Sequence, residues 1–232
     1  KINRYSKQLI LINSFFILAW LIVSVFPFIW TFWGSFKVKA DFFSRADWMF
    51  AVTGVNTLIE TGDTSTVKAY VESWTEGEFW KATMNTVIIT VSVVTISLFL
   101  GTLGAYALSR STYKYTFWIL IAALIFRAMP HITLVSGYLF PFFQLNVWGI
   151  LPTTIIVLVA INQPFTLWLL YSFFKTVPKE LDESALIDGC SYFQAFRFVI
   201  MPVMWPGVVT AGLFSMMLAY NDFTVTSLLL NQ

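Results

Sequence analysis

An uncharged apolar run near the start of the chain sets the strongest limit on what this sequence can fold into. It extends from Leu9 to Trp33, and about 20 apolar residues in a helix are enough to cross the roughly 30 Å hydrocarbon core of a bilayer. The composition extends the same argument to the whole chain, since 58% of the 232 residues are hydrophobic and only 11% are charged. Soluble domains carry about a quarter charged residues. The sequence therefore predicts an all-α integral membrane protein.

Four further apolar segments predict a polytopic helical bundle with five spans. We place them at Asn85–Leu108, Phe117–Phe140, Ile150–Phe174 and Pro206–Leu230. Five spans put the two ends of the chain on opposite sides of the membrane, and no polar tail follows Gln232. We therefore expect a sixth span beyond the end of this sequence.

Charged residues orient the predicted bundle. Lys1, Arg4 and Lys7 precede the first span, which places the N-terminus in the cytoplasm under the positive-inside rule. Arg110 with Lys114, and Lys175 with Lys179, mark two later cytoplasmic turns. The net charge of +2 without a basic run argues against nucleic acid as a partner, and a single cysteine, Cys190, excludes an internal disulfide.

The polar stretch Lys37–Met84 separates the first two spans and carries a net charge of about −2. We expect it outside the cytoplasm, with Trp74–Lys81 as a short amphipathic helix on the membrane surface. The predicted domains are an N-terminal transmembrane helix at 1–36, this periplasmic loop at 37–84, and a transmembrane domain at 85–232.

A few polar residues lie inside the predicted spans, where they are costly and usually functional. Arg127 falls near the middle of the third span, and Pro130 is expected to bend that span, with His131 capping the bend. Arg127 either faces a translocation pathway, locks two helices together, or snorkels to the membrane surface. The other candidates for a pathway or gate are Asn162, Gln163, Asn221 and Asp222.

Three expectations concern how these spans pack and continue. Ser97, Gly101 and Ala105 recur every four residues, a small face that lets a second helix approach closely. Pro164 is expected to interrupt the fourth span. Asp222 is a candidate ion-pair partner for Arg127.

The cytoplasmic stretch Thr176–Pro206 carries the densest local signals in the chain. Pro178 suits a first helical turn, the acidic residues after it favour a helix N-terminus, and Gly189 is expected to end that helix. Ser191 and Gln194 have capping-box spacing for a second helix, which Pro202 and Pro206 are expected to interrupt. The pattern predicts a short acidic helix, a turn and a second helix.

Recognised catalytic and nucleotide-binding motifs are absent from the sequence. It contains no HExxH pair, no GxSxG turn and no GxxxxGK[ST] loop. We therefore expect no catalytic residue, no metal site and no cofactor in this chain.

The segment ELDESALIDG, followed by FRFVIMPVMWP, resembles the EAA loop of binding-protein-dependent ABC importer permeases. The positions that match this motif are Glu183, Ser184, Ala185, Gly189, Met201 and Pro202. The segments NTVIITVSVVTISLFLGTLGAYALSR, PFTLWLLYSFFKTVPKELDESALIDG and AYNDF are similar to the carbohydrate-uptake branch, and TSLLLNQ to the smaller permease of maltose-type systems. Two positions depart from the pattern: Ser184 replaces alanine, and Tyr171-Ser172 stands where the branch often has Arg-Gly.

The resemblance implies a type I ABC importer permease in a bacterial inner membrane, carrying a sugar or related polyhydroxy solute. It implies a second homologous permease, two ATPase subunits or domains that hold ATP and Mg²⁺, an external solute-binding protein, and membrane lipid as partners. The coupling role toward the ATPase falls on one set of residues: Glu180, Glu183, Ser184, Ala185, Asp188, Gly189 and Pro202.

Within that set, Glu180 and Glu183 are expected to meet basic groups of the ATPase, and Ser184 and Ala185 to form a small face toward it. Two alternatives are weighed against this interpretation. An intramembrane enzyme acting on a lipid-linked sugar would work without an ATPase, and a passive channel leaves the cytoplasmic helix pair without a role.

Overall fold

The computed structural model describes residues 4–35 and 65–230, and every regular element in these two ranges is helical. This confirms the predicted all-α class. The charged residues between Lys37 and Asp63, which oriented the predicted outer loop, lie outside the described residues.

The residues that the structure describes form nine helices, numbered in chain order with bounds as the structure has them. They are α1 Arg4–Gly34, α2 Ser65–Thr75, α3 Phe79–Arg110, α4 Tyr115–Ala128, α5 His131–Gln144, α6 Leu151–Thr176, α7 Glu180–Ile187, α8 Tyr192–Tyr220 and α9 Phe223–Leu229. The chain divides into two compact units, Lys1–Trp80 and Lys81–Gln232.

Four of the helices in the described part are long and apolar enough to cross a membrane. They are α1, in which the qualifying stretch is Leu9–Phe32, then α3, α6 and α8. The helices α4 and α5 pass the same test only as a pair, and they are bent by 89° at the break between them. Counting that bent pair as one span gives the five spans predicted from the sequence. The expected bend at Pro130 is confirmed, since Pro130 immediately precedes α5.

In the first unit, α2 occupies part of the predicted polar loop. Tyr70 Oη of α2 donates a hydrogen bond of 2.5 Å to Ser35 Oγ. The predicted surface helix over Trp74–Lys81 is wrong, because α2 ends at Thr75 and α3 begins at Phe79. Glu78 takes a positive φ of 50° in the turn between them, a conformation that a continuous helix does not allow.

The second unit has two apolar cores at different levels along its helices. One lies at the end of the bundle where α3 and α6 finish and α7 is placed. Its buried residues are Ala105, Leu170, Phe174, Val177, Phe196, Ile200, Met204, Val208 and Ala211. The other is built around the start of α6 and the junction of α8 with α9, with buried residues Ile89, Val93, Val135, Val157, Leu158, Val159, Ile161, Ala219, Val225 and Leu229.

The small face of α3 packs against α6. Ser97 and Ala105 are fully buried, and Gly101 is buried between them. A Cβ atom added to Gly101 would lie 3.1 Å from both Leu170 Cδ1 and Thr166 Cγ2. The predicted close approach is thus confirmed, and a larger side chain at Gly101 would separate the two helices.

Proline does not interrupt the long helices where the sequence suggested. Pro164 lies inside the continuous helix α6, and Pro202 and Pro206 lie inside α8. A membrane helix tolerates the lost amide hydrogen bond because neighbouring helices and hydroxyl side chains can satisfy the freed carbonyls. The last span therefore begins at Tyr192 instead of Pro206 and ends at Tyr220 instead of Leu230.

The helix α8 contains a π-helical segment at Ala195–Ile200, between a capped first turn and the long α-helical part from Met201. A π turn spans five residues per hydrogen bond and accommodates one residue more than an α turn. Ala195, Phe196 and Ile200 of this segment are buried.

Candidate functional site

The helix α7 is short, and its end is defined by backbone hydrogen bonds. Gly189 N donates to Leu186 O at 3.1 Å, and Cys190 N donates to Ala185 O at 3.0 Å. Together these two bonds form a Schellman motif, in which the residue after the cap takes a left-handed conformation. Gly189 has a φ of +86°, so the prediction that it ends the helix is confirmed. Because Pro178 and Lys179 precede the helix, α7 has eight residues, fewer than the 178–189 stretch suggested.

The start of α8 is held by the capping box that the sequence predicts. Ser191 N donates to Gln194 Oε1 at 2.7 Å, and Gln194 N donates to Ser191 Oγ at 3.3 Å. Only two residues, Gly189 and Cys190, separate the cap of α7 from this box. Both ends of the connection are therefore fixed, and the joint between α7 and α8 is short and defined.

One face of α7 points into the bundle, and a buried carboxylate anchors it there. Asp182 Oδ2 lies 2.8 Å from Arg110 Nε, and the two side chains are 13% and 16% exposed. Tyr106 Oη donates a hydrogen bond of 2.5 Å to the other carboxylate oxygen, Oδ1. Arg110 and Tyr106 both belong to α3, so α7 is tied directly to the end of that span.

The same arginine also closes the end of α6. Arg110 Nη1 lies 3.3 Å from Phe174 O and 3.1 Å from Val177 O, and it donates to both carbonyls. These are carbonyl groups at the C-terminus of α6, where a helix leaves its last acceptors unpaired. One guanidinium group thus connects α3, α6 and α7.

Aromatic packing adds α8 to this joint. The ring of Tyr106 lies 4.8 Å from the ring of Phe196 and 5.7 Å from that of Phe174, measured between centroids. Phe196 belongs to the π-helical segment of α8 and is buried. The ends of three spans and the short helix α7 therefore form one packed unit, which we call the coupling joint.

The opposite face of α7 is exposed. Glu180, Glu183, Ser184, Ile187 and Asp188 follow helical spacing, so their side chains share one face. Ile187 is 86% exposed, and the three carboxylates make the face acidic. Ala185 is only 5% exposed, so the expectation that it shares an outward small face with Ser184 is wrong. Its small side chain instead lets α7 lie close to its own bundle.

Pro202, the last residue of the candidate coupling set, lies in α8 just after the π-helical segment and is exposed.

A second polar cluster lies at the junction of α8 with α9. Arg127 Nη1 lies 3.1 Å from His131 Nε2, and His131 Nδ1 lies 3.3 Å from Asp222 Oδ2. Arginine only donates and carboxylate only accepts, so this order fits an imidazole with its proton on Nδ1. The expected direct pairing of Arg127 with Asp222 is therefore replaced by a contact through His131. The expected capping role of His131 is wrong, since its side chain does not cap α5.

Asp222 also starts the next helix, because its Oδ1 accepts a hydrogen bond of 2.8 Å from Val225 N. Asp222, His131 and Asn221 line an open cavity of about 360 Å³ with other residues of α8 and α9. Three of the five candidate gate residues, Arg127, Asn221 and Asp222, thus lie in one region, and His131 lies among them.

The remaining two gate candidates lie apart from this cluster, in the middle of α6. Asn162 is 2% exposed, and its Nδ2 has no hydrogen-bond partner. Gln163 Oε1 also lacks a hydrogen-bond partner. One turn further along α6, Thr166 Oγ1 lies 2.8 Å from Ser215 Oγ of α8. In the described residues, no hydrogen bond connects Asn162 or Gln163 to Arg127 or Asp222.

Sequence reasoning missed the three residues that anchor α7: Tyr106, Arg110 and Asp182. Arg110 was interpreted only as a topology marker, and Asp182 only as an acidic residue favoured by the helix dipole. The one available signal is the spacing of Asp182 and Ala185, three residues apart, which places both on the face opposite Glu183 and Ser184. The described residues contain no group of three or more His, Cys, Asp or Glu that could hold a metal ion.

Comparison with known proteins agrees with this architecture. Residues 94–232 match the family described as binding-protein-dependent transport system inner membrane component. The chain is 29% identical over 223 residues to the diacetylchitobiose uptake system permease protein NgcG of Streptomyces coelicolor, covering 91% of this chain and 66% of that protein. It is 32% identical over 220 residues to the trehalose/maltose transport system permease protein MalG of Thermococcus litoralis, covering 94% and 73%.

Among solved structures, the fold resembles that of a bacterial ABC transporter involved in the import of the acidic polysaccharide alginate. The TM-score is 0.75 at 21% sequence identity, and the match covers 98% of this chain and 76% of that one. This likeness establishes the fold. The chain spans about two thirds of the length of the curated relatives reported above.

Proposed function

The chain belongs to the family of binding-protein-dependent transport system inner membrane components, and on this premise we propose that it passes a sugar or related polyhydroxy solute across the membrane. The relatives are named permease proteins of uptake systems for diacetylchitobiose and for trehalose and maltose. The chain is a multi-pass membrane transport component and not an enzyme. The comparisons give no support to an enzyme acting on a lipid-linked sugar.

We further propose that ATP and Mg²⁺ are bound by two partner ATPase subunits or domains, and that a second homologous permease completes the pathway. An external solute-binding protein delivers the solute. The membrane is the bacterial cytoplasmic membrane, and the N-terminus lies in the cytoplasm. In this arrangement residues 85–232 are the permease domain, and 176–206 are its coupling loop.

The observation that carries the proposal is the two-sided construction of α7. Its inner face is anchored to α3 through Asp182, and its outer face presents three carboxylates and the exposed Ile187. Such a face suits a groove that offers basic groups around an apolar centre. Force applied to the outer face reaches the ends of three spans through the coupling joint, because the joint is packed and bonded.

Ser184 fits this role although the family motif has alanine there. Its Oγ donates a hydrogen bond of 2.7 Å to Glu180 O one turn earlier. The hydroxyl proton is therefore already used within the helix, so serine adds little polarity to the outward face. Gly189 ends the helix in the conformation described above, and we assign Asp188 to the acidic outer face.

The function is tested by reconstituting the complete complex with its binding protein and measuring ATP hydrolysis and uptake with diacetylchitobiose, trehalose and maltose. At least one saccharide is expected to stimulate both activities. A complex that hydrolyses ATP but takes up neither these saccharides nor any of a wider panel of saccharides and polyols would refute the solute class.

The ATPase contact has its own test. Glu183→Lys reverses one charge on the outer face and is expected to abolish co-purification of the ATPase subunit. The matched control Lys175→Glu reverses a charge at the exposed end of α6 instead. Retention of the ATPase by Glu183→Lys would contradict the assignment of this face.

A further inference from the structure

The contact through His131 joins two breaks in the helices of the second unit. Arg127 lies in the last turn of α4 and His131 is the first residue of α5, so their contact crosses the 89° bend between these helices. Asp222 lies at the break between α8 and α9, and its side chain caps the start of α9. We call Arg127, His131 and Asp222 the polar clasp, because together they tie one break to the other.

The polar clasp fits a neutral His131 and does not fit a protonated one. His131 Nε2 lies 3.1 Å from Arg127 Nη1, and His131 Nδ1 lies 3.3 Å from Asp222 Oδ2. A neutral imidazole offers one acceptor and one donor nitrogen, whereas a protonated imidazole offers two donors. After proton uptake, the N–H at Nε2 therefore faces an N–H of Arg127, and two cations lie side by side. The contact with Asp222 suits both forms of the imidazole, so proton uptake breaks one specific contact.

His131 is the only histidine of the sequence, and histidine is the residue type that ordinarily changes charge between pH 5 and 8. The described helices around α5 are α3, α4, α6, α8 and α9. Outside the polar clasp, the titratable residues on α5 and these helices are Lys81, Tyr106 and Arg110 on α3, Tyr115 on α4, Tyr138 on α5, Tyr171 and Lys175 on α6, and Tyr192, Arg197 and Tyr220 on α8. Lysine, arginine and tyrosine do not ordinarily change charge in that range. The carboxylates of α7 lie near the opposite end of α8. A response to pH in this region therefore points to His131.

Protons from solution can reach this histidine. The side chains of His131 and Asp222 are 30% and 9% exposed, and both line the open cavity of about 360 Å³ together with Asn221 and Thr224. The cavity lies at the end of α8 that is farthest from the coupling joint. The helix α8 has 29 residues, which corresponds to about 40 Å at helical rise. The proposed topology places this end of α8 outside the cytoplasm, so the polar clasp is exposed to the outer pH.

We propose that the polar clasp makes the bend between α4 and α5 sensitive to pH. Neutral His131 holds Arg127 and Asp222 together, and protonated His131 releases Arg127 while keeping Asp222. Asp222 Oδ1 accepts from Val225 N in either state, so α9 keeps its N-terminal cap and the movement is confined to the bend. His131 is thus a positioning residue that acts on α4 through Arg127. This response to pH goes beyond the proposed transport of a saccharide.

Hydrogen exchange at the bend tests this proposal in the complete complex, reconstituted in lipid without solute or nucleotide. Mass spectrometry follows exchange across residues 126–134 at about pH 8 and about pH 5, the limits between which histidine ordinarily titrates. Each rate is divided by the rate of the unfolded chain at the same pH, which gives the protection of the segment. In the parent, protection across 126–134 is expected to fall about five- to tenfold at the lower pH, because a hydrogen bond from a charged donor is lost. Protection across residues 153–161 of α6 is expected to change by less than about twofold.

Two variants identify the groups that respond, and each serves if the other fails to assemble. His131→Gln supplies one acceptor and one donor at every pH, so its protection at the bend is expected to be equal at both pH values. Arg127→Gln can donate to a neutral His131 and accept from a protonated one, so it is also expected to lose the response. The matched control Tyr138→Phe removes the titratable group of α5 outside the polar clasp and is expected to keep the parental response.

Three results would overturn the proposal. Equal protection of the parent bend at both pH values would show that the polar clasp does not respond to protons. A parental response in His131→Gln, or an equal loss across residues 153–161, would assign the effect to another group or to general weakening of the fold in acid. A parental response in Arg127→Gln would refute the release of Arg127. None of these results depends on which solute the complex carries.

Discussion

Replacing Asp182 by asparagine removes the charge that holds α7 against α3 while keeping the size of the side chain. The carboxylate lies 2.8 Å from Arg110 Nε and accepts a 2.5 Å hydrogen bond from Tyr106. In the variant, Arg110 keeps its two carbonyl contacts at the end of α6 but loses its anion. The exposed outer face of α7 is unchanged, so assembly of the proposed complex is expected to persist.

The size of the effect follows from burial. Breaking a fully buried ion pair costs about 3–5 kcal/mol, and a hydrogen bond to a charged group contributes about 1.5–3 kcal/mol. Both side chains retain some exposure, 13% and 16%, and asparagine can still accept a hydrogen bond from Tyr106. We expect a loss of about 2 kcal/mol from the docked state of α7, which corresponds to a change of about 30-fold in its opening equilibrium.

Hydrogen exchange of the α7 amides measures that equilibrium directly. In the assembled complex, exchange across residues 180–187 is expected to be about 30-fold faster in Asp182→Asn than in the parent. Lys175→Gln, at the exposed end of α6 and outside α7, is expected to leave it unchanged. ATP hydrolysis is expected to continue in Asp182→Asn while uptake per ATP falls. Parental exchange rates in α7 of Asp182→Asn would refute the anchoring role of this carboxylate.

Three further predictions concern the backbone and packing of the second unit. Gly189→Val forces a β-branched residue into a left-handed conformation, which costs about 1–2 kcal/mol. It should uncouple ATP hydrolysis from uptake without preventing membrane insertion, whereas Gly189→Asn should retain coupling. Normal uptake by the valine variant in vesicles would contradict this. Gly101→Val overpacks the contact between α3 and α6, which costs about 1–3 kcal/mol and should lower the thermal midpoint of the detergent-solubilised complex. Gly137→Val should leave that midpoint unchanged, because a Cβ at Gly137 has no neighbour within 4 Å. Thr166→Val leaves the buried hydroxyl of Ser215 unpaired and should lower the stability of the complex by about 1–3 kcal/mol. Adding Ser215→Ala should recover most of that stability. Equal thermal midpoints of the single and double variants would contradict the pairing.

Local signals in the sequence were reliable where the structure depends on residues a few positions apart. The cap at Gly189 and the capping box at Ser191 and Gln194 each involve residues within five positions of one another. The small face of α3 is also a local pattern, with a period of four. These features follow from backbone geometry that the neighbouring residues alone determine.

Predictions failed where a distant partner decides the outcome. Asp182 meets Arg110 across 72 positions in the chain, and His131 meets Asp222 across 91, so no local pattern reveals either pair. Proline was interpreted by a rule suited to water-exposed helices, and Pro164 shows that a packed membrane helix continues through it. The coupling role of α7 was predicted from its resemblance to a family, but its buried anchor required the structure.

The π-helical segment of α8 has a consequence for any alignment or redesign of this region. One residue in an α-helix corresponds to a rotation of about 100°, so the extra residue between Gln194 and Met201 sets the phase between the capped end of α8 and its membrane span. Deleting one residue there would preserve the apolar composition yet turn Phe196 away from Tyr106 and swing α7 around the axis of the span. A helical wheel drawn through this segment needs a different rotational phase before and after it. A gap placed there in a sequence alignment changes the orientation of the following helix as well as the length of the chain.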